Sequence, residues 1–223
     1  MKKFMILILC SSFSYLSSDD EDFSYTYLEL SAVQAENTGY NVTASLGLPL
    51  SLYLKASLND KEIDLNGDVY QKSGSVVSIG THVSIADLLK NVTKDGFSFN
   101  FARFMDFYAE VGANKWELED SLGKTEEGTD AYLQGGIRLG DSDGWELSLY
   151  MENTKVAEVD TNEICPIGGS CYTDVDYTLS EETDSTMGIK FVNNFRENMS
   201  FSVNLDNNDN AGSTASLGIR FRL

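Results

Sequence analysis

From Tyr25 onwards the chain alternates apolar and polar residues with a period of two, segment after segment, and side chains that alternate in this way fall on opposite faces of a β-strand. Leu28, Leu30 and Ala32 share one face of the first segment, with Tyr25, Tyr27 and Glu29 on the other. Val42, Ala44, Leu46 and Leu48 follow, interrupted by Pro49; the third segment sets Leu50, Leu52, Leu54 and Ala56 against Ser51, Tyr53 and Lys55. The fourth sets Val77, Ile79 and Val83 against Ser78, Gly80 and His82, and the fifth sets Met105, Phe107, Ala109, Val111 and Ala113 against Asp106, Tyr108, Glu110 and Gly112. Leu133 to Leu139, Trp145 to Met151, Met187 to Phe191 and Met199 to Leu205 repeat the pattern, and it ends at Ala215, Leu217, Ile219, Phe221 and Leu223. The pattern predicts ten strands of membrane-crossing length, an even number.

The connections divide into two sets. Leu48-Pro49, Asp141 to Gly144 and Asn193 to Asn198 are short, and Asp141-Ser142-Asp143-Gly144 has the composition of a tight turn; only 85–103 is long on that side. The stretches 59–74, 117–130, 153–185 and 207–213 read as longer, polar connections. Residues 153–185 alone hold eight carboxylates and one lysine, Lys155. A closed up-and-down barrel with short turns inside the cell envelope and long acidic loops outside accounts for this segregation; a soluble sandwich gives no reason for it.

Met1-Lys2-Lys3 followed by Phe4 to Leu9 has the basic and apolar parts of a secretory signal, so residues 1–18 are expected to be a signal peptide and 19–223 the barrel domain. The apolar run is too short to span a bilayer as a helix. Net charge is −19, and loss of Lys2 and Lys3 takes it to −21, which excludes nucleic acid as a partner. The chain holds a single histidine and two prolines.

The terminal strand resembles the closing strand that the barrel assembly machinery recognises in bacterial outer-membrane proteins, with Leu217, Ile219, Phe221 and Leu223 as the alternating signal. With the opening Tyr25-Thr26-Tyr27-Leu28-Glu29 and the Ala109-Glu110-Val111-Gly112 strand, the chain from Phe23 onwards resembles small outer-membrane β-barrel proteins of Gram-negative bacteria, the OmpA/OmpX-like class. The resemblance implies an all-β, closed antiparallel transmembrane barrel in the cell outer membrane, with lipid, lipopolysaccharide and the assembly machinery as partners, a monomer, and no catalytic, cofactor or metal residues.

Strand parity places Glu29, Lys55, Asp106, Glu110, Arg138, Glu146, Glu152, Lys190, Arg220 and Arg222 on the inward face. Facing a narrow lumen they are expected to pair, as a structural plug or as a gate or selectivity lining. Leu147, Leu149, Phe107 and Ile219 are expected to face lipid. Cys165 and Cys171, the cysteines outside the signal, predict a disulfide in an oxidising compartment. His82-Val83-Ser84 has the His-x-Ser spacing found in outer-membrane deacylases, but nucleophilic catalysis needs an orienting carboxylate and none follows at a matching distance. Asp206 to Asn210 and Asp64 to Asp68 have calcium-like oxygen spacing without completing a calcium loop. The functions in view are a non-enzymatic surface barrel, a narrow porin-like channel for ions or small solutes, and a soluble secreted carrier.

Overall fold

The computed structural model describes residues 23–34, 38–65, 68–85, 105–141, 143–165, 171–208 and 212–223, without side chains at 63–65, 68–69, 155–164 and 172–184. The expected signal peptide, all but the first residue of the 85–103 connection, residues 66 and 67 of one calcium-like stretch and 209 and 210 of the other lie outside the described residues.

Ten antiparallel strands form one closed barrel: β1 (Tyr27–Gln34), β2 (Thr38–Leu48), β3 (Leu52–Leu65), β4 (Asp68–Ser84), β5 (Met105–Glu119), β6 (Thr125–Gly140), β7 (Trp145–Ile164), β8 (Tyr172–Arg196), β9 (Met199–Asn208) and β10 (Gly212–Arg222). Each strand pairs with its sequence neighbours, and β1 closes the ring against β10 in a register that sets Glu29 opposite Arg220 and Leu30 opposite Ile219. Both ends of the described chain therefore meet at one mouth, the lower end of the barrel.

The expected face assignment holds around the barrel. Phe107, Leu149 and Ile219 are 43%, 41% and 47% exposed, while Glu146 and Arg220 are 2% and 3% exposed. A water-soluble protein does the reverse, since an unbroken apolar exterior has no favourable contact with water. The soluble-carrier alternative fails on this exterior. Along β5 the outward positions stay apolar from Met105 to Ala113, and then Lys115 pairs with Glu127 at 2.6 Å on the outer surface. That run covers about 26 Å of strand at ~3.3 Å per residue, or about 20 Å along the membrane normal at a tilt of ~40°, close to the apolar band of membrane barrels. Lys115 and Glu127 mark its upper edge; the hydrogen bond between them holds the Glu127 carboxyl below its ordinary range and the Lys115 ammonium above its own. A closed wall satisfies every strand's hydrogen bonds internally, as lipid demands. This is the architecture of an outer-membrane β-barrel.

Two expectations are corrected. The polar stretches 59–74, 117–130, 153–185 and 207–213 are mostly strand: β3 runs to Leu65 and β4 starts at Asp68, β5 runs to Glu119 and β6 starts at Thr125. Above the bilayer both faces of a strand can be polar, so alternation disappears while backbone pairing continues. The longest extension is the β7–β8 hairpin, which remains paired up to Ile164 opposite Tyr172. Its strands leave their other neighbours much lower, β7 parting from β6 at Asn153 and β8 from β9 at Thr186. A self-paired ribbon thus rises beyond the ring by roughly 30 Å or more at ~3.3 Å per residue. The second correction concerns Leu50, expected in the third strand. Leu50 and Ser51 have φ of 67° and 57° and form the turn from Pro49 to Ser51, so β3 begins only at Leu52. The Asp141 turn is as expected, its carboxylate accepting from the backbone N–H groups of Asp143 and Gly144 at 2.7 and 2.9 Å.

Candidate functional site: the charged lumen

The inward residues form two connected layers. In the lower one, Glu29 of β1 accepts from Lys190 of β8 at 2.6 Å, from Arg220 of β10 at 2.9 Å and from the Ser202 hydroxyl of β9 at 3.1 Å. Arg220 also reaches Glu146 of β7 at 3.3 Å, and the Asn194 amide donates to that carboxylate at 3.2 Å. The Arg138 Nε of β6 is 4.0 Å from Glu146. Glu29 and Glu146 thus share the layer with Arg138, Lys190 and Arg220, and buried Asp106 joins it through Tyr25 and His82. Charges this far from water persist only when paired in this way.

The same layer is floored with rings. The Arg138 guanidinium lies 4.5 Å from the Tyr25 ring centre, 5.5 Å from Phe23 and 5.9 Å from Tyr108, and Arg220 lies 4.0 Å from Tyr27. Tyr25 stacks on His82 at 4.0 Å and tilts against Tyr53 at 4.7 Å. Its hydroxyl donates to Asp106 at 3.3 Å, and Asp106 stands 3.4 Å from the His82 Nδ1. Here the sequence reading is corrected: an acid does stand beside His82. It comes from β5 rather than from the histidine's own strand, Asp106 pairing directly with Ser84 across the ladder.

In the upper layer Lys55 binds Glu110 at 2.6 Å, and that carboxylate accepts from the Tyr53 and Ser78 hydroxyls at 3.0 and 3.2 Å. Lys55 also donates to the Gln134 amide oxygen at 3.1 Å. Tyr132 and Gln134 donate to Glu152 at 3.4 Å each, while Tyr150 donates to Asn204 at 3.0 Å and also to Asp206. Higher still, the Trp116 indole donates to buried Asp130 at 2.9 Å.

Three lumen tyrosines and this tryptophan each lie over a glycine directly opposite in the next strand: Tyr53 over Gly80, Tyr108 over Gly136, Tyr150 over Gly188 and Trp116 over Gly128. A Cβ on Gly80 or Gly188 would collide with the tyrosine Cζ, so the missing side chain is what lets each ring lie flat on the wall.

Of the predicted network, Glu29, Lys55, Asp106, Glu110, Arg138, Glu146, Lys190 and Arg220 are brought together. Arg222 stands at the lower rim, donating to the Arg196 carbonyl at 3.1 Å. Cys165 and Cys171 are bonded, with Cα atoms 4.1 Å apart at the top of the ribbon. Leu217, Ile219 and Leu223 are exposed on the outer face and Phe221 is half-buried. Phe23 and Asn194 were missed, because neither lies in a regular alternation; Ser200 and Ser202 fall on the inward face of the ninth strand by parity, but only the register shows what they meet.

No family model and no curated protein matches the chain. Among solved structures it is similar to the NanC porin, at 9% identity and a TM-score of 0.45 over 88% of this chain and 100% of that one. It is also similar to the KdgM porin, at 7% identity and a TM-score of 0.41 over 89% and 99% of the two chains. The translocator domain of the autotransporter NalP from Neisseria meningitidis is a third, at 10% identity and a TM-score of 0.37 over 100% and 95%.

Proposed function

We propose that this barrel is a non-enzymatic surface protein of the outer membrane whose lumen is shut at rest, and whose interactions are made by the polar hairpins at the end away from the chain termini. The observation that carries the reading is the Glu29–Arg220–Glu146 bridge with Lys190, which ties β1, β7, β8 and β10 together and fills the lower lumen along that arc of the ring. A ten-stranded ring is little wider than the eight-stranded barrels that side chains fill, and the tyrosines here add bulk among the charges. His82 is stacked under Tyr25 with Asp106 at its Nδ1, an arrangement that suits a fixed packing role better than proton transfer to a substrate. With the lower end in the periplasm, the β7–β8 ribbon and its acidic sequence stand outside the cell, above the lipopolysaccharide head groups. Purified protein in planar bilayers tests the closed lumen: the wild type is expected to be silent, and large, reproducible conductance steps would replace this reading with that of a narrow pore.

A further inference from the structure

The segment that leads into β1 does not hang away from the barrel. Thr26 is fastened at the rim on both sides, its hydroxyl accepting from the Gly47 N–H at 3.0 Å and its carbonyl from the Leu223 N–H at 3.3 Å. Upstream of this pin the chain turns into the lower mouth, and Phe23 and Tyr25 end up 1% and 3% exposed. Phe23 lies outside the strand, so the ladder does not require it there. Both rings sit on Arg138, whose Nε and Nη1 have no hydrogen-bond partner among the described residues. That buried guanidinium is met by ring faces and, at 4.0 Å, by Glu146. Tyr25 adds the stack on His82 and the bond to Asp106.

We propose that Phe23–Tyr25 is a displaceable stopper, seated on Arg138 and hinged at Thr26, and that the protein is a gated passage for small ions which opens when this strap leaves the mouth. The inference rests on the closed-lumen reading and adds to it: the Glu29 bridge narrows the lumen from the arc of strands β1, β10, β9, β8 and β7, whereas the strap is a movable piece that covers Arg138 of β6 and is held through its side chains. Ring faces on a cation suit such a piece, because they hold it without the directional bonds of a strand.

Full-length wild type and the Phe23→Ala/Tyr25→Ala variant, each shown to be folded by heat-modifiable mobility, are compared in planar bilayers. The wild type should be silent and the variant should open, its open time rising about tenfold or more, the scale on which loss of buried cation–π contacts acts. Silence from both overturns the stopper and leaves the closed lumen standing. Steady conductance from the wild type that the variant does not increase overturns both. Should the double variant not fold, Phe23→Cys in full-length protein takes its place. A maleimide should react with that cysteine slowly, and several-fold faster once Arg138→Gln removes the seat; an unchanged rate overturns the stopper.

Discussion

Glu29 makes three contacts to three different strands, and a carboxylate in that position fixes the lower lumen more firmly than any residue on the outer wall. Replacing it with glutamine keeps the shape and removes the charge, which leaves Arg220 with Glu146 and takes from Lys190 the carboxylate it binds at 2.6 Å. Glu29→Gln is expected to destabilise the barrel by about 3–5 kcal/mol, the cost of stranding a buried charge. Urea unfolding in detergent, followed by heat-modifiable mobility, measures it; a loss under about 1 kcal/mol would mean that the pair is solvated and the lumen wet. The inward direction of Glu29 was legible in the sequence, because Leu28 and Leu30 flank it and parity does the rest. Its partners were not. Arg220 is 191 residues away and Lys190 lies on a strand elsewhere in the ring, so only the closed register brings them together. Asp106 beside His82 is the same case: a search along the histidine's own strand could not meet an acid supplied by the next one.

At the level of the strand pair, the tyrosine-over-glycine arrangement decides how the lumen is filled. Gly80→Ala places a methyl where the Tyr53 ring now lies, and Tyr53 must swing away from Glu110 to make room. The expected cost is about 1–3 kcal/mol, as for an overpacked core. Gly135→Ala is the control, since its Cβ faces outward with the nearest atom 3.8 Å away. Equal unfolding midpoints for the two variants would refute the role of the rings. The strands themselves were legible wherever the bilayer imposes alternation. Above it that constraint ends, which is why the upper halves of β3 to β8 read as loops. Their pairing comes from backbone hydrogen bonds, and these leave little trace in side-chain identity.

For the molecule as a whole, the ribbon formed by 154–164 and 172–185 is the longest extension of paired strands beyond the ring. It pairs only with itself in the described register and is capped by the Cys165–Cys171 bond. Protease added to intact cells should cut within 153–185 and leave the barrel strands whole, as read by the fragment sizes on a gel. Protection in intact cells, with cutting only after lysis, would turn the barrel over. The division into a lipid-crossing half and a projecting half was visible in the grouping of carboxylates, whereas the height of the projection was not, since a long loop and a long hairpin have the same composition.

The seam between β1 and β10 sets the order in which such a wall can be built. Its two sides are the first and last of the ten strands, with 191 residues between Glu29 and Arg220. Bringing ends that distant together costs about 5 kcal/mol of chain entropy on the usual logarithmic scaling, against about 1 kcal/mol for a tight hairpin. Until that joint is made, any partial sheet presents two unpaired rims to lipid, where each orphaned N–H or carbonyl is penalised heavily. An open partial sheet in lipid is therefore disfavoured until β1 and β10 join. Since β10 supplies one side of that joint, a chain that lacks β10 is expected to leave the wall open and to show no heat-modifiable band on a gel; a heat-modifiable band from it would mean that the wall closes without the last strand.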